Sequence, residues 1–300
     1  MALRVAASRG IGSPRRLPSA KLPRVATAGS AGMTEFTDRS VIVTGAARGI
    51  GLAIARRFVR AGASVVMADM DEARLELEVE ALNGEGNDGR CLAVVGDLRE
   101  KLTMTNLVAA TLDAFDGVDV LVNASRVIAP SEPLSPDRDG LEATLTRNVL
   151  GTVRLSQIAA RRMIELRSGE TEPRDRAIVN ISSVQALRTS TALMAYSIGC
   201  AAIEQATRTL ALALAPHRIR VNALAVGGVA GRSLAAAMPT IADLPEALAD
   251  ITPLGRIADA ADFAGAALFL ASPSAGFVTG QVVTVDGGRS LVDPLSVWAE

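Results

Sequence analysis

A glycine-rich turn, an acidic residue 18 positions beyond it, and a serine and a tyrosine 13 residues apart are the parts of this 300-residue chain that could do chemistry. The turn reads Thr44-Gly45-Ala46-Ala47-Arg48-Gly49-Ile50-Gly51 and leads from a β-branched run directly into a helical pattern. Glycines at 45, 49 and 51 let the backbone turn tightly and approach a pyrophosphate, whose charge is met by free N–H groups and the positive end of a helix dipole. Asp69 ends the next β-branched run, where a carboxylate can accept from the hydroxyls of an adenosine ribose and would repel a 2′-phosphate. These residues predict a dinucleotide site that prefers NAD(H), with NADP(H) as second choice because Arg48 could reach the phosphate. Ser183 follows the fifth β-branched run, and Tyr196 is the chain's one tyrosine. A serine there also caps helices and a tyrosine at a helix start also packs, so residue type alone leaves their roles open.

Such residues need a frame to hold them. From Ser40 onward, short β-branched runs alternate with stretches of three- and four-residue apolar spacing, the pattern of βαβ units around a parallel sheet. Strands are expected at 40–44, 64–68, 92–95, 118–122, 177–181, 219–223 and 282–285, with helices at 50–61, 72–82, 102–115, 141–166, 195–215 and 258–270. The predicted fold class is α/β: a single doubly wound parallel sheet, Rossmann-like, of about seven strands with helices on both faces. Residues 227–255, with Pro239, Pro245 and Pro253, read as a long irregular stretch suited to a lid. Residues 1–32 carry six basic side chains, no acidic one and three prolines, and are expected to stand outside a catalytic domain spanning 33–300. A start codon upstream of the true Met33 and an Arg-rich mitochondrial presequence are both compatible with that composition.

At 49% hydrophobic and 21% charged, the chain has ample material for a core, which excludes disorder over most of its length. The net charge of −1 provides no field for nucleic acid or an anionic membrane, and no apolar run reaches the roughly 18 residues of a spanning helix. Cys91, Cys200 and the lone His217 can form neither a disulfide framework nor a Cys/His metal cluster. No metal is expected, and a reducing, cytoplasmic compartment fits best.

Taken in order, the motifs resemble the short-chain dehydrogenase/reductase family, in particular its 3-oxoacyl-acyl carrier protein reductases, over about Phe36 to Arg289. Beyond the glycine turn, the resemblance is carried by Asp97-Leu98, Asn148-Val149, Asn180-Ile181-Ser182-Ser183, Ala195-Tyr196-Ser197, Arg218-Ile219-Arg220-Val221-Asn222-Ala223 and Val285-Asp286-Gly287-Gly288. It implies hydride transfer between a nicotinamide and a small alcohol or carbonyl substrate. Tyr196 would be the general acid/base, Ser183 would orient the reacting oxygen, and Asn148 would support a proton-relay water. Asp97 and Leu98 would flank the adenine, and Asn123 and Val229 would complete the cofactor contacts. The resemblance also implies a homo-oligomer, tetramer or dimer, through the helices at 141–166 and 195–215, with no nucleic-acid or membrane partner.

The sequence departs from the family at the centre of that chemistry. The pattern Tyr-x-x-x-Lys becomes Tyr196-Ser197-Ile198-Gly199-Cys200. Four residues apart on a helix, the family's ammonium sits beside the phenol. At about 4 Å and an effective dielectric near 20, that charge is worth roughly 4 kcal/mol, or about three pKa units on a phenol that starts near 10. Asn-Asn-Ala-Gly becomes Asn123-Ala124-Ser125-Arg126, Pro-Gly becomes Val226-Gly227, and a threonine becomes Gly231. From sequence, Arg126 is expected on the surface, with the return of a positive charge near the nicotinamide as its alternative, and Cys200 beside an emptied corner. Two readings follow: an NAD(P)-dependent oxidoreductase slowed by the missing lysine, or a non-catalytic dinucleotide-binding regulator or inactive subunit of a mixed oligomer.

Overall fold

The computed structural model describes residues 36–86, 89–170, 174–229 and 244–292. The extension at 1–32, Met33 and Gly231 lie outside the described residues. Seven strands, β1 (Ser40–Thr44), β2 (Ser64–Asp69), β3 (Cys91–Val95), β4 (Val120–Asn123), β5 (Arg176–Ser183), β6 (Ile219–Val226) and β7 (Val282–Val285), form one sheet in the order β3-β2-β1-β4-β5-β6-β7. Every neighbouring pair is parallel. The chain winds outward in both directions from β1 and β4, so a crevice opens at their carboxyl ends, where such sheets bind ligands.

Covering the sheet are α1 (Gly49–Arg60), α2 (Glu72–Gly84), α3 (Lys101–Phe115), α4 (Leu141–Thr144), α5 (Gly151–Arg167), α6 (Met194–Leu214), α7 (Leu244–Asp250) and α8 (Ala260–Ala271). Successive strand residues face opposite ways, and each face acquires its own core. Val41, Val43, Met67 and Val179 pack against Ile54 and Phe58 of α1 and Phe263 and Leu270 of α8. Ile42, Val66, Leu121 and Ile178 pack against Met104 and Leu107 of α3 and Leu155 and Met163 of α5. Phe36 locks onto Phe58 edge to face, with ring centroids 4.9 Å apart.

The structure refines several expected boundaries. β5 and β6 run on to Ser183 and Val226 because ladder pairing continues through Ile181↔Leu224, Ser182↔Ala225 and Ser183↔Val226, which carries β5 over the two serines that end its apolar run. β4 is bounded at Val120 rather than Val118, just after Asp119, whose backbone bonds Ser40 and Ala177 and whose side chain accepts from the Ser40 N–H at 3.0 Å. The helix expected at 141–166 is interrupted by a π-helical turn, Leu145–Leu150, between α4 and α5. The stretch read as irregular at 227–255 contains α7, with Pro245 in its first turn, where a missing N–H costs nothing.

Candidate active site

Where β1 ends, Gly45 takes φ +65° and Gly49 φ +57°, left-handed values that glycine adopts without a steric penalty. A Cβ on Gly45 would lie 2.8 Å from Cα of Ser125, and one on Gly51 would lie 2.2 Å from the Gly45 carbonyl oxygen. The turn therefore closes only because these positions lack side chains. α1 begins immediately after it, and its N-cap residue Arg48 makes no side-chain capping bond, so the first N–H groups of the helix remain available to an anion. Asp69 reaches across from β2. One carboxylate oxygen accepts from the Ala47 N–H at 3.0 Å and the other from the Asp71 N–H at 3.1 Å, fixing the acid against the turn. Arg48 is ion-paired with Asp71.

From this turn a cavity of about 1220 Å³ extends along the carboxyl edge of the sheet. Gly45, Arg48, Gly49, Ile50, Gly51, Asp69, Asp97, Leu98 and Val229 line it, as do Asn148, Ser183 and Tyr196. The Arg99 guanidinium, bonded to Asp97, holds that carboxyl below its ordinary range. Asn123 is the exception among the expected cofactor contacts. Its Nδ2 donates to Ser156 Oγ at 2.9 Å and to Asn180 Oδ1 at 2.8 Å, a cross-strand link inside the sheet that keeps the side chain away from the cavity.

At the other end of the cavity, Ser183 closes β5, and Tyr196 stands in the first turn of α6, 3% exposed. Ser183 Oγ donates to the Val226 carbonyl at 3.2 Å and accepts from the Gln185 N–H at 3.3 Å, and it lines the cavity together with the Tyr196 side chain. Cys200, one helical turn after Tyr196, is buried in the same small apolar cluster as the phenol ring. Glu204, another turn along, accepts from Ser182 Oγ at 2.9 Å.

Arg126 is not on the surface. It is half-buried, and its Nη1 donates to the Tyr196 hydroxyl at 3.0 Å and to the Ser182 carbonyl at 3.3 Å. The corner expected to be empty is thus filled from the loop after β4. That loop is fastened on both sides of Arg126. Thr44 Oγ1 accepts from the N–H groups of Ala124 and Ser125, each at 3.0 Å. Asn148 accepts from the Val127 N–H at 2.9 Å and donates to the Val127 carbonyl at 2.8 Å. Asn148 sits in the π-helical turn, a distortion frequent at functional sites, and its carboxamide is committed to this clamp. Burial pushes the Tyr196 phenol up to about 12 and the neighbouring Cys200 adds to the rise, while Arg126 and the Ser183 hydroxyl pull it back. Burial likewise raises the Cys200 thiol, so it stays protonated near neutrality.

Sequence reasoning underrated Arg126 and did not see the Thr44 clamp. The signal available for the first was that Arg126 and Cys200 both stand at positions where the sequence departs from the pattern it resembles. Other matched motif residues build the frame. Arg220 pairs with Asp175 at 2.8 Å and donates to the Leu270, Ala271 and Ser272 carbonyls at the end of α8. Asn222 ties β6 to the approach to β7 through Val278 and Gln281.

A parallel sheet wound in this order, with a glycine cradle at one end of its crevice and a serine and tyrosine at the other, defines a Rossmann-type oxidoreductase. The family model described as enoyl-(acyl carrier protein) reductase matches residues 45–290. The chain belongs to the short-chain dehydrogenase/reductase family. A galactitol 2-dehydrogenase (L-tagatose-forming) from Cereibacter sphaeroides is 35% identical over 253 residues, 83% of this chain and 94% of its own. An L-rhamnose 1-dehydrogenase (NAD(P)(+)) from Azotobacter vinelandii is 36% identical over 255 residues, 84% of this chain and 96% of its own. Among solved structures, a gluconate 5-dehydrogenase from Burkholderia cenocepacia in complex with NADP and tartrate superimposes with a TM-score of 0.76 at 28% identity, covering 87% of this chain and 99% of that one.

Proposed function

We propose that this oxidoreductase interconverts a small alcohol and the corresponding ketone or aldehyde, using NAD(H) in preference to NADP(H). The observation that carries the reading is that Ser183 and Tyr196 line the same cavity as the glycine cradle. The cradle fits a dinucleotide: Gly45 and Gly51 leave no room for a Cβ, and the uncapped start of α1 suits a pyrophosphate. A bound nicotinamide supplies the two-electron hydride chemistry. In the oxidative direction Tyr196, as the phenolate, takes the hydroxyl proton as the carbonyl forms, and in reduction the phenol returns that proton to the same oxygen. Ser183 turns its one hydroxyl proton from the Val226 carbonyl to the reacting oxygen when substrate is bound. Asn148 contributes by holding Val127, and through it the loop at 124–127.

The NAD(H) preference rests on Asp69, whose carboxylate lines the cavity near the turn, and on the commitment of Arg48 to Asp71. The rival reading, a dinucleotide binder without turnover, drew its strength from the absence of Lys beside Tyr196. A guanidinium at 3.0 Å from the hydroxyl supports the enzyme instead. A homo-oligomer belongs to the same proposal. Among the described residues no helix is long and apolar enough to cross a membrane.

The test is a panel of polyols, sugars and simple ketones assayed with NAD(H) and NADP(H), beside a binding titration of both dinucleotides. Turnover on any member with NAD(H) favoured supports the reading. Tight binding with no turnover across the panel returns the protein to the rival.

A further inference from the structure

We propose that Arg126 is the positioning residue that sets the charge at Tyr196, so that the cation carried by α6 in the family pattern is here delivered from the loop after β4. The inference rests on the oxidoreductase reading given above.

The contact is direct, with Nη1 at 3.0 Å from the Tyr196 oxygen and a second bond to the Ser182 carbonyl that aims the guanidinium. The loop is held for this purpose at both shoulders, by Thr44 at Ala124 and Ser125 and by Asn148 at Val127. The two departures from the family pattern are complementary. A glycine position has become Arg126, which adds a long cationic side chain, and a lysine position has become Cys200, which removes one from the same corner. Volume and charge are thereby exchanged between two elements that meet at one phenol. The other groups facing Tyr196 are the buried Cys200 thiol and the Ser183 hydroxyl, with Glu204 a turn further on, bound to Ser182 and beside Arg208. Among these described groups only Arg126 brings a positive charge to the phenol, and it opposes the rise that burial imposes.

Because Tyr196 is the chain's one tyrosine, a fluorinated tyrosine introduced biosynthetically gives a single ¹⁹F resonance at this site. Its lower intrinsic pKa brings the titration into a range where the fold is intact. Arg126→Met should raise the labelled phenol's pKa by about 1–3 pH units, Arg126→Lys by less, and Cys200→Lys in the Arg126→Met background should restore it. Alcohol oxidation should follow the same order, its acidic limb moving up in Arg126→Met and the rate near pH 7 falling at least about tenfold. Should Arg126→Met melt early, Arg126→Gln replaces it. A phenol titration unmoved by a folded Arg126 variant overturns the proposal, as does a loss of rate that appears only in KM for NAD⁺. If the native protein turns over nothing in the panel, the oxidoreductase reading fails, while the titration, which needs no substrate, still decides Arg126.

Discussion

Gly51→Ala should both destabilise the protein and empty its cradle. The added methyl carbon would lie 2.2 Å from the Gly45 carbonyl oxygen, 2.7 Å from its carbon and 3.0 Å from the Thr44 carbonyl oxygen, against ordinary contact at 3.4 Å or more. All three atoms are backbone, so no side chain can rotate away. The start of α1 must withdraw by on the order of 1 Å, which forfeits packing against the sheet. Overpacking a tight site costs about 1–3 kcal/mol, and backbone on the opposing side points to the upper end. At about 2–4 °C per kcal/mol for a domain of this size, Tm should fall by roughly 6–12 °C. The same withdrawal removes helix N–H groups from the anion, each charge-assisted bond being worth about 1.5–3 kcal/mol, so NAD⁺ should bind about 10- to 100-fold more weakly. Gly265→Ala is the matched control. It lies exposed within α8 with nothing within 4 Å of its added carbon, and should stabilise by about 0.5–1 kcal/mol. Calorimetric melts and a titration with NAD⁺ measure both variants. If Gly51→Ala melts and binds like the native protein, the close approach drawn between α1 and the turn is wrong.

Tyr196→Phe keeps the buried ring and removes the hydroxyl, so it should melt within a few degrees of the native protein while losing about 10²- to 10⁴-fold in turnover, read from initial rates. Asp69→Ser removes the carboxylate that opposes a 2′-phosphate and should shift the ratio of kcat/KM from NAD⁺ toward NADP⁺; an unchanged ratio counts against Asp69 as the selector. Burial raises the Cys91 thiol to about 12, so it favours folding below the ordinary thiol range, and this contribution is lost as pH climbs from about 9 toward 12. Melts from pH 8 to 11 should therefore fall less steeply in Cys91→Ala than in the native chain.

The order of strands and helices was legible in the sequence because both signals are local. β-branched runs and three- to four-residue apolar spacing mark elements wherever they pack, and β1 and β7 match their expected bounds at Ser40–Thr44 and Val282–Val285. The glycine turn was legible for a similar reason, since glycine takes the φ of +65° at position 45 without strain and only glycine leaves room at position 51, where a Cβ would meet backbone at 2.2 Å. Asp69, Ser183 and Tyr196 could be placed by spacing because each lies at a strand end or helix start that the sheet brings to one edge. What the sequence could not decide was direction. Asn123 ends β4 and Arg126 follows three residues later, and nothing local distinguishes the side chain that turns into the sheet from the one that crosses the cavity. Asn180 and Ser156, distant in sequence, capture Asn123, whereas Tyr196 and Ser182 capture Arg126. That Cys200 rather than a lysine stands four residues after Tyr196 was visible in the chain, but the guanidinium beside that phenol comes from an element 70 residues upstream, and only tertiary packing brings the two within 3.0 Å.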